Sequence, residues 1–222
     1  MEISYWESRW RKNNIGFHLS HVYEPLIRFW AESKLPVNPT VLVPLSGKSL
    51  DILWMMNQGA RVVAVEAVEQ AVAEFFSDHN ITPEKTERYG FTIYRFETLE
   101  FWVGDFFKLP TNEMPEFHLI YDKAAITALP EVIRSNYAEK IISRTNSGTR
   151  ILTHHFEYNQ QQMTGPPFSV PLSELNSYYS DMFKCKILDE SSTANNYSKF
   201  IRRGLRSDLT ERFTLFFPNS SV

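Results

Sequence analysis

The stretch VLVPLSGKSLDILWM, residues 41–55, followed by RVVAVE at 61–66, limits what this chain can fold into more than any other feature. The apolar run VLVPL (41–45) enters a turn at Ser46-Gly47. A helical pattern then runs from about Lys48 to Gln58, with Leu50, Leu53 and Trp54 on one face and Gly59 as its stop. A second buried run, 61–66, follows at once. Strand, helix and strand in so short a span make a βαβ crossover, which requires the two strands to be parallel. The turn itself holds Gly-Lys-Ser, as a phosphate-binding loop does, but that loop needs a glycine at position 42, where this chain has Leu42. The dinucleotide pattern G-x-G-x-x-G fails too, because Gly47 is the only glycine in the turn. Such a turn fits a ligand that sits at a strand end and presents no phosphate.

The rest of the chain repeats the alternation. Residues 5–33 read as two helical pieces broken around Asn13, Asn14 and Gly16, with Trp6 and Trp10 one turn apart. Helices are expected at 68–79, 130–144 and 171–180, a strand pair within 90–107, and strands at 117–122, 149–158, 183–190 and 211–217. The last two strands look joined by a short, non-helical connection. The segment NQQQMTGPPFSVP (159–171) excludes regular structure at Gly165-Pro166-Pro167 and reads as a mobile loop over the strand ends. The expected fold is a doubly wound, mostly parallel seven-stranded α/β sheet with an antiparallel last strand, in one domain over 1–222, with residues 1–35 as a helical extension. Ligands of such sheets bind at the carboxyl ends of the strands. That rim carries Leu45-Ser46-Gly47, Glu66, Gly104-Asp105 and Asp122-Lys123.

A formal net charge of −3 with both signs interspersed leaves no electrostatic footprint for nucleic acid or an anionic membrane, so a small-molecule partner is expected. One cysteine, Cys185, excludes internal disulfides and a cysteine-based zinc site; it reads as a small core residue. His154 and His155 are neighbours on a strand and point to opposite faces, which excludes them as joint ligands of one metal. No run is long and apolar enough for a membrane span, and MEISYWESRWRKNN is too charged and aromatic for a signal peptide. A cytoplasmic monomer is the expectation.

Glu66 ends the second strand nineteen residues after Gly47, close to the roughly 20-residue offset at which an acidic side chain meets a ribose diol. The alternative is a solvated strand-end glutamate. Asp105 is placed to accept from an adenine amino group while Phe106 packs on the ring, although an ordinary Gly-Asp turn explains Gly104-Asp105 equally well. Ribose carboxylate, adenine pocket and phosphate-free turn together point to S-adenosyl-L-methionine.

The chain also resembles the thiopurine S-methyltransferases, particularly their bacterial members, through YWESRW (5–10), IGFH (15–18), VLVPLSGKSLDILW (41–54), VVAVE (62–66), GDFF (104–107), YDKAAITALP (121–130) and GPPFSVP (165–171). The resemblance implies a class I methyltransferase fold, S-adenosyl-L-methionine as methyl donor, and a thiol or related soft nucleophile as acceptor. It places cofactor contacts on Trp10, Leu45, Glu66 and Lys123, the last standing where the family has arginine. It places Phe17 against the acceptor, and Lys199, in YSKFIRRGL, where the family again has arginine. No dedicated catalytic base is implied, because an aromatic thiol is largely ionised near neutral pH and orientation supplies the acceleration; Lys123 is a candidate electrostatic helper. Inorganic selenium or tellurium species and other small thiols are alternative acceptors. Two rival readings are a nicotinamide-dependent oxidoreductase, which the single-glycine turn disfavours, and a non-catalytic S-adenosylmethionine-binding module.

Overall fold

The computed structural model of the protein describes residues 2–192 and 198–219. Two compact units divide the chain, 1–121 and 122–222.

The first unit opens with α1 (Ile3–Arg11), which ends where Asn13 takes a left-handed φ of 50°, then α2 (Glu24–Phe29) and a 3₁₀ turn at Trp30–Ser33. These are the two helical pieces expected from the sequence. The βαβ unit follows as β1 (Thr40–Pro44), α3 (Asp51–Asn57) and β2 (Arg61–Glu66), with β1 and β2 parallel from Val41↔Val62 to Pro44↔Val65. The helix starts three residues later than its apolar pattern, after a turn in which Leu45 and Gly47 are both left-handed, at φ 47° and 55°. Asp51 fixes that start. Buried at the head of α3, its carboxylate accepts from Tyr23 N–H (2.8 Å) and Tyr121 Oη–H (2.9 Å).

After α4 (Glu69–Asp78) come β3 (Glu84–Arg88), β4 (Phe91–Phe96) and β5 (Leu99–Val103). β5 lies parallel to β2, β4 antiparallel to β5, and β3 antiparallel to β4. β3 is absent from the sequence reading for a physical reason: EKTER is exposed at every position and carries no apolar alternation. The start of β6 (Leu119–Lys123) pairs parallel with β1 at Leu119 and Ile120.

The second unit holds the end of β6, α5 (Glu131–Ile142), β7 (Arg150–Glu157), α6 (Leu172–Tyr179), β8 (Phe183–Ser192), α7 (Ser198–Arg202) and β9 (Thr210–Pro218). β9 runs antiparallel to both β7 and β8. Among the described residues there are therefore nine strands rather than seven, and the β8–β9 connection is neither short nor devoid of helix, since it carries α7. The GPPFSVP segment has no regular structure, as its prolines require, but it is tied down rather than loose. Tyr158 Oη–H donates to the Pro167 carbonyl (2.7 Å), Phe168 N–H to Thr127 (2.6 Å), Val170 N–H to Phe156 (2.7 Å), and Arg203 donates to the carbonyls of Pro166 and Thr164.

Candidate active site

The first unit assembles most of the residues singled out in the sequence at the carboxyl ends of β1, β2 and β5. Register puts Pro44 beside Val65 and Glu66 beside Val103, and Gly104 N–H donates to the Glu66 carbonyl (2.9 Å). The turn after β1 bends back onto this rim, with Ser46 N–H donating to the Val65 carbonyl (3.0 Å).

Glu66 is buried rather than solvated, at 6% exposure. Its Oε2 accepts from Gly47 N–H (2.8 Å) and its Oε1 from Val68 N–H (2.8 Å). Burial pushes the carboxyl's pKa up, opposed by the N–H groups of Val68, Gly47 and Ala67. The two oxygens offer four lone pairs together, so acceptor capacity remains beyond these N–H groups. The group therefore links the turn to the strand end and still fits a ribose.

Trp10, at the end of α1, closes over this turn. It packs with Val68 and Ala71 at the head of α4, and a Cβ built on Gly47 would meet its indole at 3.5 Å. Phe17 lies edge-on to Trp10 (5.8 Å between ring centroids) and to Trp6 (5.6 Å), yet stays 43% exposed, so it offers an open aromatic face beside the turn. Leu45 is half-buried and left-handed.

Asp105 and Phe106 are placed differently from a free carboxylate and a stacking ring. Asp105 Oδ1 accepts from Phe107 N–H (3.0 Å), capping the 3₁₀ turn Phe106–Lys108, while Oδ2 lies 4.0 Å from the Lys108 ammonium. Phe106 is buried in the core, and Phe107 is the exposed ring of the doublet.

Lys123 and Lys199 belong to the second unit. Lys123, half-buried, ends β6. Its predecessor Asp122 is buried, accepting from Ala125 N–H (2.8 Å), Ile126 N–H (3.2 Å) and Tyr137 Oη–H (2.9 Å), and burial raises its pKa to about 6. Lys199 is exposed on α7. His154 bonds Glu211 Oε1 through Nε2 (2.6 Å), and His155 Nδ1–H donates to the Val170 carbonyl (2.8 Å). Among the described residues no cluster of three or more His, Cys, Asp or Glu could hold a metal ion. Cys185 is half-buried on β8 rather than in the core, and burial raises its thiol to about 11.

The Lys48 of Gly-Lys-Ser does not face the rim. Its ammonium lies 2.9 Å from Glu74 and 2.8 Å from Asp78 on α4. This contact, like the Asp51 node, was beyond sequence reasoning, because its partners lie about thirty residues away along the chain. No helix among the described residues is long and apolar enough to cross a membrane.

A family model described as thiopurine S-methyltransferase matches residues 1–215. The chain is 39% identical over 205 residues to the thiopurine S-methyltransferase of Pseudomonas fluorescens strain SBW25, covering 92% of this chain and 94% of the relative. It is 37% identical over 202 residues to that of Vibrio cholerae O1 strain O395, covering 90% and 91%. Among solved structures, the 1,6-didemethyltoxoflavin-N1-methyltransferase of Burkholderia thailandensis, crystallised with S-adenosylhomocysteine, superposes with a TM-score of 0.63 at 16% identity, covering 98% of this chain and 87% of that one. TehB of Haemophilus influenzae superposes at 0.60 and 15% identity, covering 96% and 66%. The likeness to these structures establishes the fold, and the sequence relatives establish the family: the chain belongs to the thiopurine S-methyltransferase family of class I S-adenosylmethionine-dependent methyltransferases.

Proposed function

We propose that this protein transfers the methyl group of S-adenosylmethionine to the sulfur of aromatic or heterocyclic thiols, thiopurines among them. The observation that carries the donor half is the Glu66 carboxylate, held at the end of β2 by Gly47 and Val68 N–H groups with acceptor capacity to spare. Glu66 would hold the ribose hydroxyls, the Leu45–Gly47 turn the donor's amino-acid portion, Trp10 its flank, and Asp105 Oδ2 with Phe107, rather than Phe106, the adenine. Bound there, the donor supplies a sulfonium methyl already activated for displacement.

The acceptor half rests on family membership and on Phe17. Its exposed ring, set between Trp6 and Trp10, gives a flat apolar surface beside the donor turn on which a heterocycle can stack. The resemblance adds Lys123 and Lys199 as cations favouring an anionic acceptor. What this arrangement contributes is orientation and exclusion of water, with a thiolate as its own nucleophile.

Incubation with radiolabelled S-adenosylmethionine and a panel of aromatic thiols, selenols and hydroxyl compounds tests the proposal. Label is expected on thiols and not on hydroxyls. Tight binding of S-adenosylhomocysteine without label on any acceptor would instead leave a donor-binding module, and preference for hydroxyl compounds would overturn the thiol assignment.

A further inference from the structure

The Lys48 of Gly-Lys-Ser, with no phosphate to bind, is fastened to α4. Three side chains of that helix, Gln70, Glu74 and Asp78, sit four residues apart on one face. Lys48 Nζ reaches Glu74 Oε2 (2.9 Å) and Asp78 Oδ2 (2.8 Å), and its side chain keeps only 13% exposure. One turn earlier, Gln70 Nε2 donates to Glu74 Oε1 (2.8 Å) and to the carbonyl of Trp10 (3.3 Å). That carbonyl lies in the last turn of α1 and also accepts from Asn13 N–H (2.8 Å), so Gln70 ties α4 to the turn that ends the helix. Polar contacts therefore run without a break from the turn after β1, along α4, to the end of α1.

Both ends of this path meet again at the rim. Lys48 follows Gly47, whose N–H bonds Glu66, and Trp10 lies against Gly47. The apolar contacts of Trp10 with Val68 and Ala71 are non-directional, whereas the Gln70 bond to its carbonyl fixes a register between α1 and α4. We propose that Lys48, Glu74 and Gln70 are positioning residues for the donor site, a relay that holds the Trp10 indole in register with the Gly47 turn. This rests on the methyl-donor reading above and adds residues to that site that touch no ligand.

The test compares wild type with Lys48→Met, Lys48→Arg and Gln70→Ala by calorimetric titration of S-adenosylhomocysteine and by amide hydrogen exchange over residues 3–17. In Lys48→Met the dissociation constant should rise about fivefold, which is roughly 1 kcal/mol and the upper range for partly exposed ion pairs. Exchange over 3–17 should quicken, while kcat at saturating donor stays within about twofold of wild type, since no relay residue meets the reacting atoms. Lys48→Arg should restore both readouts. Gln70→Ala, which keeps the Lys48 ion pairs, should loosen 3–17 and weaken binding alike, and it serves if Lys48→Met fails to fold. Folded variants with unchanged affinity and unchanged exchange would overturn the relay. Wild-type protein that bound no S-adenosylhomocysteine would sink the donor reading instead, and the exchange difference would then decide the relay alone.

Discussion

Glu66 carries two duties that a mutation separates. Its carboxylate satisfies the N–H groups of Gly47 and Val68 in a buried place, and under the proposed function its spare acceptor capacity holds the donor's ribose. Glu66→Ala strands both N–H groups, so it should lower stability by about 1–3 kcal/mol as well as weaken donor binding. Glu66→Gln keeps one oxygen acceptor and should cost less stability while still weakening S-adenosylhomocysteine by about 1.5–3 kcal/mol, the scale of hydrogen bonds to a charged group. Denaturant titration and calorimetry on the same two variants separate the effects; unchanged affinity in folded Glu66→Gln would place the ribose elsewhere. Lys123 poses the opposite case, a residue assigned through the resemblance. An arginine offers a planar fork and a lysine a flexible point charge. If Lys123 serves the acceptor, Lys123→Met should lower kcat/KM for an anionic thiol about tenfold or more while leaving donor affinity within about twofold. Steady-state kinetics with two thiols of different pKa checks this, and untouched specificity constants would remove the lysine from the mechanism.

At the scale of elements, a buried cation joins α5 to α6 in the second unit. Arg134, 3% exposed on α5, donates to both carboxylate oxygens of Glu174 on α6 (2.9 Å each) and to the Leu129 carbonyl (2.9 Å), and its guanidinium stands 5.9 Å from the ring centre of Phe168 in the GPPFSVP segment. Removing one partner of a buried pair leaves the other uncompensated. Arg134→Ala should therefore cost about 3 kcal/mol, at the low end for buried pairs because Glu174 keeps some water. Denaturant unfolding measures it, and a cost below about 1 kcal/mol would show the pair to be no stronger than a surface one. None of this is legible in the sequence, where Arg134 is one charge in EVIRSNYAEK. The strand-helix-strand succession is legible, because apolar period and glycine stops are local. The hairpin strand β3 is not, since a wholly exposed edge strand has no periodic signal and pairs only because β4 lies beside it.

For the whole molecule, two buried groups of the second unit give pH dependences of opposite sign. Burial lowers the His155 pKa to about 4 and raises that of Asp122 to about 6. Below the ordinary histidine pKa the unfolded chain takes up a proton that folded His155 refuses, so this group's contribution falls as pH drops from about 6.5 to 4. Folded Asp122 instead keeps a proton that the unfolded chain has released, so its contribution falls as pH rises from about 4 to 6. The two nearly cancel between pH 4 and 6. Relative to wild type, Asp122→Asn should gain about 1.4 kcal/mol of stability per pH unit across that window, and His155→Gln should lose about as much. Denaturant titrations at pH 4, 5 and 6 measure both slopes, and parallel curves for all three proteins would refute the assignment. The sequence by itself determined the βαβ core, the parallel order of its first strands, the phosphate-free turn and the strand-end positions of Glu66 and Gly47, because each follows from local periodicity, a glycine or a spacing, whereas Trp10 stands out only through the family resemblance. Only the tertiary structure decided that Glu66 is buried on two N–H groups, that Phe107 rather than Phe106 is the exposed ring, that the GPPFSVP segment is pinned, and that Lys48 turns to α4. In most of these the deciding partner is either hidden by a neighbouring residue of the same type or lies many residues away, and packing and hydrogen-bond satisfaction in the interior, not local propensity, select it.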